Sequence, residues 1–335
     1  MQNPDKKNPL CNAMDQHADA LFNKVNTQVF ETFPDIESKY GQEGVQRTRE
    51  DIRFHLQYLQ TAVCMQEKNL FLDYVAWLKM YFTSIKLPPP YYLKTLQMIR
   101  EAGQTLFAPE SANILKEYID HALQRFDDLP SQANTFLSTD NKLNILAQQY
   151  LNTLLRKDRM AAEKLIMQNV ENGVSIKDIY LYVFQPAQWE IGRLWQHNEI
   201  NVAMEHYCTA ATQFIMSRLY EYIFSTDKTG KGLVATSVSG ELHELGIRMV
   251  SDFFEMEGWN TYYLGSNTPI NSIIQMITDT HADVLAISST IPFNVPKVSK
   301  LIEAVRKKFA FKDIKIIVGG KPFNTNKQLW EKVNA

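Results

Sequence analysis

Three cysteines are all that this chain of 335 residues contains, at positions 11, 64 and 208, far apart and with no CxxC pair. That scarcity predicts neither a disulfide framework nor a zinc site, and leaves the thiols as buried or idle groups. Net charge is also scarce: 35 Lys and Arg against 37 Asp and Glu leave a balance of -2, with no basic stripe. Non-specific nucleic-acid affinity is carried by many cation–phosphate contacts, so no nucleic-acid partner is expected. No window approaches 18 uninterrupted apolar residues, and the leader MQNPDKKNPL lacks the apolar core of a secretory signal. A cytoplasmic protein without a membrane span is expected. Internal repeats are missing too. What remains is a chain with 45% hydrophobic and 11% aromatic residues, long enough for two or three domains that each bury a core.

After a polar leader, Ile52, Leu56, Leu59 and Val63 recur at helical spacing, and Phe71, Tyr74, Val75, Leu78 and Phe82 do so in the next segment. The run LPPPYY at 87–92 breaks any helix, and helical patterning resumes near Leu93. Further helices are expected at about 111–126, 141–155, 158–171, 175–195 and 200–224. A polar link, STDKTGKG at 225–232, then closes the helical region. Beyond it come four short β-type runs, at 233–238, 261–265, 283–289 and 314–320, with helical stretches between them at about 243–256, 270–280 and 295–309. Strands alternating with helices predict right-handed βαβ units, a parallel sheet and a ligand beyond the carboxyl ends of the strands.

The loop after the first of these strands reads SGELHELG, residues 239–246, and sets Glu241, His243 and Gly246 in the pattern E-x-H-x-x-G. A neutral imidazole is a good ligand for a late transition metal, and a carboxylate two residues away can accept from its other ring nitrogen and fix the tautomer. One histidine is too few for a metal cage. It suits a cofactor that already supplies four equatorial nitrogens and needs only an axial partner. Ser288, Ser289 and Thr290 end the third strand, and Gly319 and Gly320 end the fourth; hydroxyls and bare backbone there would let a long nucleotide tail thread along the sheet's edge.

On these residues, 230–323 resembles the cobalamin-binding domain of methionine synthases, mutases and B12 photoreceptors. The resemblance implies that His243 replaces the dimethylbenzimidazole base beneath cobalt, with Glu241 and Gly246 completing the axial motif. It further implies that Ser288, Ser289 and Thr290 bind the tail beside Gly319 and Gly320. The glutamate form of the motif resembles the photoreceptor branch. The resembling domains carry a further strand and helix where this chain continues only briefly past GGKPF.

Upstream, Trp195 and the pair Glu205 and His206 stand in the spacing W-x9-EH. Taken alone they read as a core anchor and an exposed helix pair; ahead of the E-x-H-x-x-G loop they resemble the four-helix cap of adenosylcobalamin light sensors. There the tryptophan shields the adenosyl group and the acid accepts hydrogen bonds from it. In some such sensors a histidine directly follows the tryptophan, whereas Gln196 does here, so His197 and His206 are both candidates for reaching cobalt after photolysis.

No basic helix-turn-helix precedes the cap, which argues against a light-operated repressor. The stretches 49–62 and 70–82 instead resemble the globin-like region of photocobilins, sensors that pair a cobalamin with a bilin. On that resemblance His55 contacts a linear tetrapyrrole such as biliverdin, and Tyr58, Tyr74 and Trp77 wall a flat apolar pocket.

The expected architecture is α plus α/β. A globin-like all-α domain over 1–135 precedes a four-helix-bundle cap over 138–226 and a flavodoxin- or Rossmann-like domain over 230–335. The expected function is an adenosylcobalamin-dependent light sensor rather than an enzyme, acting as a homo-oligomer, a dimer, or on a downstream signalling protein. A corrinoid methyl carrier, or a haem-binding or interaction module ahead of a B12 domain, are the alternatives.

Overall fold

The computed structural model describes residues 8–224, 227–309 and 313–335. The leader residues 1–7 lie outside it, as do Ser225 and Thr226 of the expected link. The chain divides into two compact units, residues 1–131 and 132–335.

The first unit is all α: α1 Pro9–Gln16, α2 Ala18–Thr32, α3 Ile36–Cys64, α4 Lys68–Ser84, α5 Pro89–Leu106 and α6 Pro109–Arg125. Two sequence expectations are corrected here. The stretch before Ile52, read as a polar leader, is helical from Pro9 onward. Its apolar positions Leu10, Leu21, Val25 and Val29 are sparse but fall on one side and are buried. The proline run does not postpone the next helix to Leu93. Pro88 is the N-cap of α5, and Pro89 and Pro90 occupy its first turn, where a missing amide hydrogen costs nothing and a fixed φ favours the helix. At the far end of the unit, Lys79 donates to the carbonyls of Phe126, Asp127 and Leu129 at 2.8, 3.1 and 2.7 Å, satisfying acceptors that the end of α6 leaves open.

The cysteine expectation is also corrected: Cys11 and Cys64 form a disulfide, and Cys208 is free and buried. A spacing of 53 residues carried no pairing signal in the sequence. The pair exists because α1 packs on the last turn of α3, where Asn8 both caps α1 and donates to the carbonyl of Val63.

The second unit begins with a bundle: α7 Asn144–Leu155, α8 Arg159–Glu171, α9 Ile176–Ile179, α10 Gln185–Gln196, α11 Val202–Arg218 and α12 Tyr220–Ile223. Between α9 and α10 the helix widens into one π turn, Tyr180–Phe184. Pro186 explains it. Without an amide hydrogen it cannot bond the carbonyl four residues back, that of Tyr182, which accepts from Asn141 Nδ2 at 2.7 Å instead.

The sheet follows, with β1 Gly232–Ser237, β2 Asn260–Tyr263, β3 Val284–Ser288 and β4 Lys315–Gly319, all parallel in the order β2-β1-β3-β4. Helices α13 Leu245–Met256, α14 Ile270–Thr280 and α15 Val295–Lys308 make the crossovers, and the short helices α16 Lys321–Thr325 and α17 Leu329–Lys332 end the chain. Every residue of β1 and β3 is buried, as expected of central parallel strands covered on both faces. Helix α13 belongs to both halves of the unit. Its Ile247 packs on the sheet, while Leu245, Met249, Phe253 and Met256 join the core of the bundle. Tyr180 donates to Asp252 Oδ2 at 2.8 Å, and Arg248 reaches Tyr220, Ser217 and the carbonyl of Gln213, so the bundle is fastened over the sheet along α13.

Candidate functional site

Sheet order places β1 beside β3 and sends their crossovers to opposite faces, which opens a crevice at the carboxyl ends of these two strands. The loop between β1 and α13, residues 238–244, crosses that crevice. Gly240, at φ 77°, turns it, and Asn267 accepts from the Gly240 amide at 2.9 Å.

Glu241 is fully buried at the centre of the loop. One carboxylate oxygen accepts from the amides of Thr290 and Ile291 at 2.8 and 2.9 Å and from Asn294 Nδ2 at 3.2 Å. The other accepts from the amide of His243 at 3.1 Å and faces its Nδ1 at 2.5 Å. Burial alone would push this carboxyl up, but the bonds from His243 and the Ile291 amide outweigh it and hold it at about 2. An ionised Glu241 must receive the Nδ1 hydrogen, which leaves the Nε2 lone pair of His243 free in a ring that is 56% exposed. The Glu241 hydrogen bond raises the imidazole's proton affinity, against burial, and the Glu205 carboxylate of the bundle adds to it. Glu205 therefore acts on His243 across the gap between bundle and sheet.

Behind the loop, Lys297 Nζ donates to Asn294 Oδ1 at 2.8 Å and to the carbonyl of Ser239 at 2.9 Å. Sequence reasoning missed Asn294 and Lys297, because they lie more than 50 residues from Glu241 and carry no motif.

The strand ends line up. Ser237 pairs with Ser288 and Ser288 with Gly319, so three of these positions form one row. Ser289 is buried and gives its hydroxyl to the carbonyl of Ile291, while Thr290 contributes its backbone amide to Glu241. A Cβ at Gly319 or Gly246 would meet nothing within 4 Å, so both glycines border open space. Gly320 differs: at φ 105°, its Cβ would stand 2.0 Å from the carbonyl oxygen of Ser289.

In the bundle, Asn201 caps α11 by accepting from the Met204 amide, which fixes Glu205 in the first turn, where the helix dipole favours an acid. Glu205 Oε2 lies 3.4 Å from Nε2 of His206, whose ring is largely exposed. Trp195 is half-buried near the end of α10. His197 is held elsewhere, since its Nε2 accepts from the Ala133 amide at 3.1 Å.

In the first unit, the structure brings His55, Tyr58 and Tyr74 together. His55 Nδ1 lies 2.7 Å from the Tyr74 hydroxyl, and the Tyr58 and Tyr74 rings stack at 3.8 Å, whereas Trp77 stacks on Tyr81. Burial lowers His55 to about 4 and raises Tyr74. Nearby Asp51 is pushed up to about 7, mainly by burial and then by Glu50.

The arrangement fits a corrinoid: a single oriented imidazole, a row of small strand ends with open space, and among the described residues no cluster of three His, Cys, Asp or Glu side chains that would hold a bare metal ion. Comparison with known proteins agrees. Residues 231–334 match a family described as a B12 binding domain, residues 146–220 match a second B12 binding domain family, and residues 1–126 match the family described as phycobilisome protein. Dimethylamine corrinoid protein 1 of Methanosarcina acetivorans is 24% identical over 104 residues, 31% of this chain and 47% of that protein. Dimethylamine corrinoid protein 3 of Methanosarcina mazei is 25% identical over 104 residues, 31% of this chain and 60% of that protein. The chain thus spans about half the length of the curated relatives it matches. The monomethylamine corrinoid protein of Methanosarcina barkeri, 17% identical, shares the fold with a TM-score of 0.51 over 58% of this chain and 91% of its own. The second unit thus resembles B12-binding proteins in its bundle and its sheet, and the first is a helical unit over which the phycobilisome protein family matches. Among the described residues no helix is long and apolar enough to cross a membrane.

Proposed function

We propose that this chain is an adenosylcobalamin-dependent light sensor that also carries a linear tetrapyrrole. Its working parts are the region 1–135 for the bilin, the cap at 138–226 and the sheet domain at 230–335. The observation that supports the reading is that Glu205, in the first turn of α11, acts electrostatically on His243, so that a corrin bound at His243 would have the Glu205 carboxylate within its surroundings. An alkyl corrinoid supplies a Co–C bond that light breaks. The chain's part is to bind, orient and register. His243 presents Nε2, Glu241 keeps the proton on Nδ1, and Gly246, Ser288, Ser289, Thr290, Gly319 and Gly320 border the tail. Trp195 and Glu205 would contact the upper ligand, with His206 beside Glu205. His197 is committed to the Ala133 amide and must release it before it can serve as a ligand.

The phycobilisome-type match supports a bilin such as biliverdin in the first unit, with His55, Tyr58, Tyr74 and Trp77 as its candidate contacts. A cytoplasmic site of action and output through a homodimer or a downstream signalling protein complete the reading. The test is an absorption spectrum of the protein given adenosylcobalamin and biliverdin, in darkness and after illumination, alongside sedimentation. Light-dependent change in both supports the sensor. A bilin that fails to bind leaves the first unit as a haem-binding or interaction module.

One observation favours a second reading. Two of the relatives that match are named as dimethylamine corrinoid proteins, which supports a carrier that passes methyl groups between partner methyltransferases. A dark affinity for methylcobalamin equal to that for adenosylcobalamin, with no response to light, selects it.

A further inference from the structure

Behind Glu205 the bundle carries a hydrogen-bond chain whose every proton but one is assigned. Tyr150 on α7 and Thr212 on α11 are fully buried, and their oxygens are 2.8 Å apart. The Thr212 hydroxyl donates to the carbonyl of Cys208 at 2.9 Å, so its lone pairs must accept, one from Tyr150 and one from Gln188 Nε2 at 2.7 Å. This fixes the Gln188 amide: with its nitrogen committed to Thr212, its Oε1 faces Thr209, whose hydroxyl lies 3.1 Å away. The same Thr209 oxygen is 3.2 Å from Glu205 Oε1. A threonine hydroxyl has one proton and here two acceptors, so the Thr209 proton is the single open choice of the chain.

We propose that Thr209 and Gln188 are positioning residues that hold the Glu205 carboxylate toward the upper ligand, and so select a corrinoid whose upper ligand carries hydroxyl donors over one that carries a bare alkyl group. The proposal rests on the reading of Glu205 given above. A carboxylate accepts hydrogen bonds; a sugar-type ligand brings hydroxyls that donate to it, whereas a methyl group brings none. Thr209 anchors one carboxylate oxygen and leaves the other turned outward beside His206, which is largely exposed. Without Thr209 the glutamate is free to rotate to solvent, and each ligand that depends on it must order it first.

The test is dark equilibrium binding of adenosylcobalamin and methylcobalamin to the full chain, for the parent, Thr209→Val, Thr209→Ser and Gln188→Met. Thr209→Val keeps the side chain's shape and removes the proton. It should weaken adenosylcobalamin about 10-fold, the effect of one charge-assisted hydrogen bond, while methylcobalamin affinity stays within about 2-fold. Thr209→Ser should restore the parent preference, and Gln188→Met should lower it in the same direction as Thr209→Val. A parent that prefers adenosylcobalamin, with Thr209→Val retaining the full preference or weakening both cobalamins alike, overturns the proposal alone. A parent that binds both cobalamins equally overturns the reading of Glu205 and this proposal with it.

Discussion

Glu241 Oε1 lies 2.5 Å from Nδ1 of His243, and its Oε2 is saturated by three donors from the segment after β3. The imidazole of His243 is thus oriented by a carboxylate that the protein has already made a weak base. Two strand ends, those of β1 and β3, are joined through one buried side chain, and that side chain orients the ring of His243.

Glu241→Gln should cost more than its size suggests. Whichever way the new amide turns, its NH2 faces donors: the amides of Thr290 and Ile291 and Asn294 on one side, or the backbone amide of His243 on the other. If it turns toward His243, the ring must accept at Nδ1 and carry its hydrogen on Nε2, where no metal can then bind. Corrinoid affinity should fall about 10- to 100-fold, and stability by about 1–3 kcal/mol. Spectrophotometric titration and urea denaturation of the variant check both; parent-like affinity would remove Glu241 from the site.

Two adjacent glycines should behave differently. Gly320→Ala meets the Ser289 carbonyl in a left-handed backbone conformation, so the variant should lose folded protein or several degrees of thermal stability. Gly319→Ala enters open space, so it should fold like the parent, yet bind cobalamin more weakly if the tail lies along that strand end. Thermal melts and binding isotherms for the pair separate the roles, and a Gly319→Ala variant that binds like the parent would place the tail elsewhere.

Much of this was legible in the sequence because local signals and tertiary packing agree. The β1 run predicted over 233–238 is a fully buried strand over 232–237, and the helix predicted over 270–280 has those bounds. The E-x-H-x-x-G loop named His243 and Glu241 because a two-residue spacing is local. Asn294, Lys297 and the chain from Glu205 to Tyr150 were invisible, since topology rather than spacing brings them together. The disulfide escaped for the same reason, and the helices before Ile52 because charged positions hide a narrow apolar side.

In mild acid His55 should take stability from the first unit. Burial holds its folded value at about 4, below the ordinary 6.5, so between those values the unfolded chain binds the extra proton. Its contribution is therefore complete above about pH 6.5 and is lost as pH falls toward 4, on the order of 3 kcal/mol in all. Asp51, raised to about 7, works in the opposite sense, favouring the folded state below that value. Urea denaturation of the parent and His55→Gln between pH 4 and 7 isolates the histidine, because Asp51 acts on both: as pH falls, the parent should lose stability relative to the variant, and parallel pH profiles would mean that His55 is not a closed-off neutral ring.

The most direct test of the central claim is the electron paramagnetic resonance spectrum of the protein loaded with cob(II)alamin, prepared once with ordinary histidine and once with 15N-labelled histidine. Coordination by His243 splits the cobalt lines into triplets in the first sample and doublets in the second, and His243→Ala abolishes the label's effect. Triplets that persist unchanged in the labelled protein would mean that the axial nitrogen belongs to the cofactor's own base, and would contradict the account.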